Sequence, residues 1–210
     1  MRERLIMFVS VVVLAFGLAA PSAQALQAGD PSSLITNLVS EAIANIKQQQ
    51  TSEGTRAAKF RELLEAGFDI PRISRFVLGR YWKTASDAQR QKFTALFEDW
   101  IVRTYSARFS DYSGQTIKVT GTRPESDIGT VVLSQFINPN AAQPAKVEWH
   151  VRKEGDGAYK VVDVAVEGVS MALTQRDEIA AVADRNGGTA DGLNKALEER
   201  LASNDRAAPK

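Results

Sequence analysis

The sequence has no cysteine and only one histidine, His150. Without cysteine there is no disulfide framework, thiol nucleophile, iron–sulfur cluster or thiolate zinc site. One histidine leaves no histidine-based metal cluster. Charge of one sign is missing too: 26 Lys plus Arg face 25 Asp plus Glu, a net +1. Nothing in that balance draws the chain globally towards nucleic acid. No GxGxxG, GxxxxGKS/T, GxSxG, HExxH or EF-hand pattern occurs. The chain therefore does not itself supply the ATPase of a transport system. The length fits one domain.

One long apolar run is present, at the start. Met1-Arg2-Glu3-Arg4 is short and charged, and Leu5 to Ala20 is apolar except for Ser10 and Gly17. Pro21 and the Ala23-Gln24-Ala25 pattern follow. This is the layout of a secretory signal peptide, cleaved after Ala25. The run is shorter than the ~20 residues that span a bilayer. The missing cysteine also excludes lipid attachment at the cleavage site. Cleavage leaves 185 residues with 24 basic and 24 acidic side chains, a neutral exported chain. The expected division is 1–25 signal peptide, 26–202 a single domain, and 203–210 a flexible tail.

The mature chain reads as helices, then strands, then helices. Asp30-Pro31 opens a helix as N-cap and first-turn proline. Leu34, Ile35, Leu38, Val39, Ala42, Ile43 and Ile46 recur at helical spacing. The spacing predicts a break at Gln48–Ser52, a second helix to Ala66 with Gly67 as stop, and a third from Asp69 to about Gly79. Ser86-Asp87-Ala88-Gln89 is a capping box. Behind it, Phe93, Leu96, Phe97, Trp100, Ile101, Thr104, Tyr105 and Phe109 form an aromatic stripe on a helix of roughly 24 residues. Period two then takes over around Ile117, Ile128 to Ile137, Val147 to Arg152, and Ala158 to Glu167. Two helices close the chain, about Leu173 to Arg185 and Thr189 to Leu201. The expectation is an α+β fold, with an antiparallel four-stranded meander packed against helices.

Few residues stand out chemically. His150 reads as an exposed strand residue, and Glu98 and Asp99 as solvated. Asp163 interrupts the apolar Tyr159, Val161, Ala165 face, so it is a candidate general base or a strand-end partner of an Arg. Arg72, Arg75, Arg80, Lys83, Arg90 and Lys92 face only Asp87 between positions 72 and 92. This local excess suits an anionic head group, an acidic docking partner, or salt bridges to Glu62, Glu65 and Asp69. The apolar faces form either a filled core or a cavity for an apolar ligand.

Phe68-Asp69-Ile70-Pro71-Arg72-Ile73-Ser74-Arg75-Phe76-Val77-Leu78-Gly79-Arg80-Tyr81-Trp82 resembles the MlaC family, the periplasmic phospholipid-binding or toluene-tolerance proteins. So do Gln89, Phe93 and Phe97, Thr104-Tyr105, Tyr112 with Gly114, Trp149, Tyr159 with Val161-Val162-Asp163, Gly168-Val169-Ser170 and Arg176. The resemblance implies a cone like that of nuclear transport factor 2, with a lipid pocket and no cofactor. It implies a soluble periplasmic carrier of phospholipid, or of hopanoid in a sister branch. The carrier would work between an outer-membrane lipoprotein complex and an inner-membrane ABC transporter. The expected pocket wall has three parts. Phe76, Val77 and Trp82 form the first. Phe97, Trp100, Ile101 and Tyr105 come from the long helix. Val132, Val147, Trp149, Tyr159, Val161, Val169 and Met171 come from the sheet and its exit. Arg72, Arg75, Arg80 and Lys83 are the expected head-group or docking residues. The competing readings are an enzyme with Asp163 as base on an apolar substrate, and an adaptor with a solid core.

Overall fold

In the computed structural model, residues 29–47, 52–107, 112–125 and 129–207 are described. The expected signal peptide, Gln48 to Thr51, Phe109, Ile128 and 208–210 lie outside them. Asp30 accepts from the backbone N–H of Ser32 and Ser33, at 2.9 and 3.0 Å, and starts α1 (Pro31–Lys47). Ser52 caps α2 (Glu53–Gly67) and Asp69 caps α3 (Ile70–Leu78). A short α4 (Tyr81–Thr84), not expected from periodicity, links α3 to α5 (Asp87–Ser106). The Ser86–Gln89 capping box forms with both reciprocal hydrogen bonds. The long helix is therefore 20 residues, shorter than its stripe suggested.

The meander consists of β1 (Thr116–Glu125), β2 (Gly129–Ile137), β3 (Ala145–Lys153), β4 (Tyr159–Val166) and a two-residue β5 (Val169–Ser170), hydrogen-bonded in that order. The sheet thus has five strands rather than four. The added strand forms because Glu167 and Gly168 both adopt positive φ, 50° and 81°. That is the backbone of a tight two-residue hairpin turn. Register slips by one residue between Val119 and Gly121 in β1, and between His150 and Val151 in the β3–β4 ladder. α6 (Met171–Arg185) follows directly, and α7 (Ala190–Ala207) carries the helix past the expected end at Leu201 and into the expected tail.

Three apolar clusters hold these layers. Val77, Leu78, Tyr81, Phe93, Phe97, Ile179, Ala183, Leu193 and Leu197 join α3 to α7. Leu34, Ile35 and Leu38 bury one stripe of α1 on Val132, Val151 and Val161 of the sheet. Leu64, Ile70 and Val102 join α2, α3 and α5. Glu98 is largely buried, and Asp99 is half-exposed but paired. Arg61 of α2 bridges both, at 2.5 Å to Asp99. Burial holds the Glu98 carboxyl above its ordinary value, against the pull of Arg61.

A second polar link ties α4 to α6. The Tyr81 hydroxyl donates to Asp184 at 2.5 Å, and Arg80 pairs with the same carboxylate. Tyr81, then Arg80, hold the Asp184 carboxyl below its ordinary value. A depressed carboxyl adds stability above its unfolded pKa and loses it as pH falls through the folded value. Asp184→Asn should therefore flatten the fall in Tm between pH 6 and pH 3. Equal falls in wild type and variant, measured by circular dichroism, would count against the link.

Candidate functional site

Two cavities lie on opposite faces of the sheet. Successive strand residues point to opposite faces, so Trp149 lines one cavity and His150 the other. Phe68 and Asp69, at the junction of α2 and α3, divide in the same way.

The first cavity has a volume of about 480 Å³. Ile117, Phe136 and Trp149 form its floor, and Leu38, Val39, Ala42, Ile43 and Ile46 of α1 its roof. Phe60, Leu63 and Leu64 of α2 close one side, and Tyr112, Gln115 and Thr116 supply its polar edge. Among the described residues, no acid or base lines it. The Trp149 indole N–H donates to Ser134 Oγ at 2.9 Å, and that hydroxyl donates to the Val147 carbonyl at 3.1 Å. The ring is thereby fixed with its apolar body towards the cavity. The lining thus offers hydrocarbon and aromatic surface to an apolar chain.

The second cavity is larger, about 1040 Å³, and lies among α3, α4, α6 and the other face of β3 and β4. Arg72, Arg75, Arg80 and Lys83 all line it. So the structure brings the four expected basic residues together, with Phe76 and Trp82, but across the sheet from the uncharged cavity. Arg152, Arg176, His150 and Asp163 join them. His150 is not an exposed strand residue: it is half-buried and meets Glu125 at 3.0 Å.

Asp163 is fully engaged. One oxygen accepts from the Val164 and Ala172 backbone N–H groups at 2.8 and 2.9 Å, and the other accepts from the Ser170 hydroxyl at 2.5 Å. Ser170 Oγ in turn accepts from Leu173 N–H at 3.0 Å. The carboxylate is the anchor of the α6 N-terminus, which explains a charge on an otherwise apolar strand face.

The remaining expected wall residues divide by depth. Val77, Phe97, Val132, Val147 and Val161 are buried within the core. Ile101 and Tyr159 pack against it, and Trp100 lies under the Arg200 guanidinium, 4.6 Å from the ring centroid. Tyr105 and Met171 are half-buried, and Val169 is 60% exposed. Of the fourteen, Phe76 and Trp82 line the basic cavity and Trp149 the apolar one. The α1 and α2 lining was missed as a site, because its only signal is a second apolar stripe beside the buried Leu34, Ile35 and Leu38.

Among the described residues, no cluster of His, Asp and Glu is arranged to hold a metal ion, and no helix is long and apolar enough to cross a membrane. A family model described as MlaC protein matches residues 36–199. The intermembrane phospholipid transport system binding protein MlaC of Haemophilus influenzae is 32% identical over 97 residues, 45% of each chain. The toluene tolerance protein ttg2D of Pseudomonas putida is 25% identical over 157 residues, 74% of this chain and 72% of the relative. The match to the first relative thus spans less than half of its length. Among solved structures, a phospholipid-binding protein from Ralstonia solanacearum, in complex with a phospholipid, matches with a TM-score of 0.69 and 25% identity. The match covers 80% of this chain and 95% of that one.

Proposed function

The chain belongs to the MlaC family, and on that premise we propose that it is a soluble periplasmic phospholipid carrier whose acyl chains enter the uncharged cavity beneath α1 and α2. The observation that carries this reading is the cavity itself: about 480 Å³ walled by hydrocarbon and aromatic rings with no ionised lining group. An enclosed charge there would oppose acyl chains by its own desolvation.

The energetics define what such a carrier must do. A diacyl lipid has about thirty methylenes at ~0.8 kcal/mol each, so ~24 kcal/mol opposes its transfer into water. The carrier must shield almost all of that surface while it is undocked. Loading and unloading then occur while docked, with an outer-membrane lipoprotein complex and an inner-membrane ABC transporter as partners. Direction comes from a partner or a gradient, since the chain has no phosphate loop.

The competing enzymatic reading needs Asp163 as a base, whereas its oxygens already accept three hydrogen bonds from the β4–β5–α6 junction. Protein exported to a periplasm and purified without detergent should yield phospholipid in near-stoichiometric amount by solvent extraction and mass spectrometry. Asp163→Asn should retain that load, with a Tm lowered by several degrees as one acceptor becomes a donor. An empty wild-type protein that also takes no lipid from vesicles would sink the carrier reading.

A further inference from the structure

The basic cavity is the larger of the two, and acyl chains in the apolar cavity are separated from it by the sheet. Arg72 and Arg75 reach it from α3, Arg80 and Lys83 from the α3–α4 segment, Arg152 from β3 and Arg176 from α6. Two carboxylates share its lining, and both have structural partners. Asp69 caps α3 and pairs with Arg72 Nε at 3.0 Å, and Asp163 anchors α6. Arg80 pairs with Asp184 outside the lining. Among the described residues, the cationic groups of Arg75 and Lys83 have no ion-pair or hydrogen-bond partner, and that of Arg176 has only the Phe76 ring, at 5.2 Å.

Bringing Arg75, Lys83 and Arg176 together without paired carboxylates is unfavourable and becomes favourable when an anion enters. The fold also makes room for one of these cations. Gly79 has φ 57°, and a Cβ there would stand 3.2 Å from Arg176 Nε. Any larger residue at the end of α3 would be strained and would crowd the guanidinium. Between the cations lie Ile73, Phe76, Trp82 and Val162, so the cavity presents apolar surface as well as charge. Phe76 is 43% exposed and adds an aromatic face to that surface, beneath the Arg176 guanidinium.

We infer that this cavity is a second binding site, for the phosphate-bearing head group and adjoining chain of an anionic amphiphile, distinct from the acyl-chain cavity across the sheet. The ligand class follows from the lining: convergent guanidinium groups bind phosphate oxygens, and the apolar surface between them favours a ligand that also carries hydrocarbon. A membrane-derived anionic lipid provides both. The site is independent of the acyl-chain assignment, and each can fail alone.

The tryptophans separate the two. Trp82 lines the basic cavity and Trp149 the apolar one. A protein with Trp100→Phe and Trp149→Phe reports the basic cavity through Trp82, and one with Trp82→Phe and Trp100→Phe reports the other. Dihexanoyl phosphatidylglycerol, below its micelle concentration, should shift Trp82 emission saturably. Arg75→Gln/Lys83→Gln/Arg176→Gln should weaken that binding at least tenfold, while uptake of a long-chain phospholipid seen by Trp149 stays within twofold. No Trp82 response, or a triple variant that binds like the parent, overturns the inference. So does equal competition by inorganic phosphate, which would leave the apolar surface without a role. Displacement by a polyglutamate peptide but not by dihexanoyl phosphatidylcholine or phosphatidylglycerol would assign the cavity to an acidic protein and overturn it too.

Discussion

Ala42→Trp is expected to reduce the lipid carried by the purified protein from about one molecule per chain to less than a tenth. Ala42 lies on the α1 stripe that roofs the apolar cavity. An indole there fills volume that an acyl chain needs, and each displaced methylene forgoes ~0.8 kcal/mol of burial. Five to ten displaced methylenes amount to ~4–8 kcal/mol, several decades in affinity at ~1.4 kcal/mol each. Ala44, two residues on, is exposed and outside the lining, so Ala44→Trp should leave the load unchanged. The measurement is phospholipid per protein by mass spectrometry, with circular dichroism to establish that both variants fold. Equal loads in the two variants would place the chains elsewhere.

Phe93→Ala should lower Tm by roughly 6–20 °C. Phe93 is fully buried and stacks on Phe97, with ring centroids 5.7 Å apart and planes at 15°, amid α3, α6 and α7. Emptying such a site costs about 3–5 kcal/mol. For a chain of this size each kcal/mol shifts Tm by ~2–4 °C. Against a total stability of ~5–15 kcal/mol, that is a large share. Trp100, half-buried and covered by Arg200, should matter less when replaced by Ala. A calorimetric shift below 3 °C for Phe93→Ala would mean that the helices close over the gap.

These two residues mark how far sequence reading reaches. The helix starts at Asp30 and Ser86 are legible as caps, because a cap needs a particular side chain at a particular spacing. Ser52 and Asp69 are legible only as starts, and the structure adds that both cap. The stripe through Phe93 and Phe97 was legible as a stripe, but spacing gives only the face, not what packs against it. Phe97 therefore read as a pocket wall and is core. The roof of the apolar cavity failed in the opposite sense. Ala42, Ile43 and Ile46 read only as part of an apolar helical stripe, and they stand over open volume. The standoff between α1 and the sheet arises from packing between distant segments, which no local pattern encodes. Asp163 was singled out correctly as an unusual charge. Its three donors come from the β4–β5–α6 junction, where β5 itself was hidden because Glu167 is a non-glycine residue at positive φ.

The β1 edge has a consequence for solubility. A chain that carries an open apolar cavity cannot also present a flat sheet edge, because an unpaired strand is a template for a second molecule. β1 is ten residues long and, among the described residues, has no strand neighbour on its outer side. The slip between Val119 and Gly121 breaks its straight run, and Lys118, Arg123 and Pro124 stud its exposed positions. Deleting Thr120 would restore a continuous ladder and remove the kink. Such a chain should self-associate more readily at equal concentration, an increase that sedimentation velocity would read.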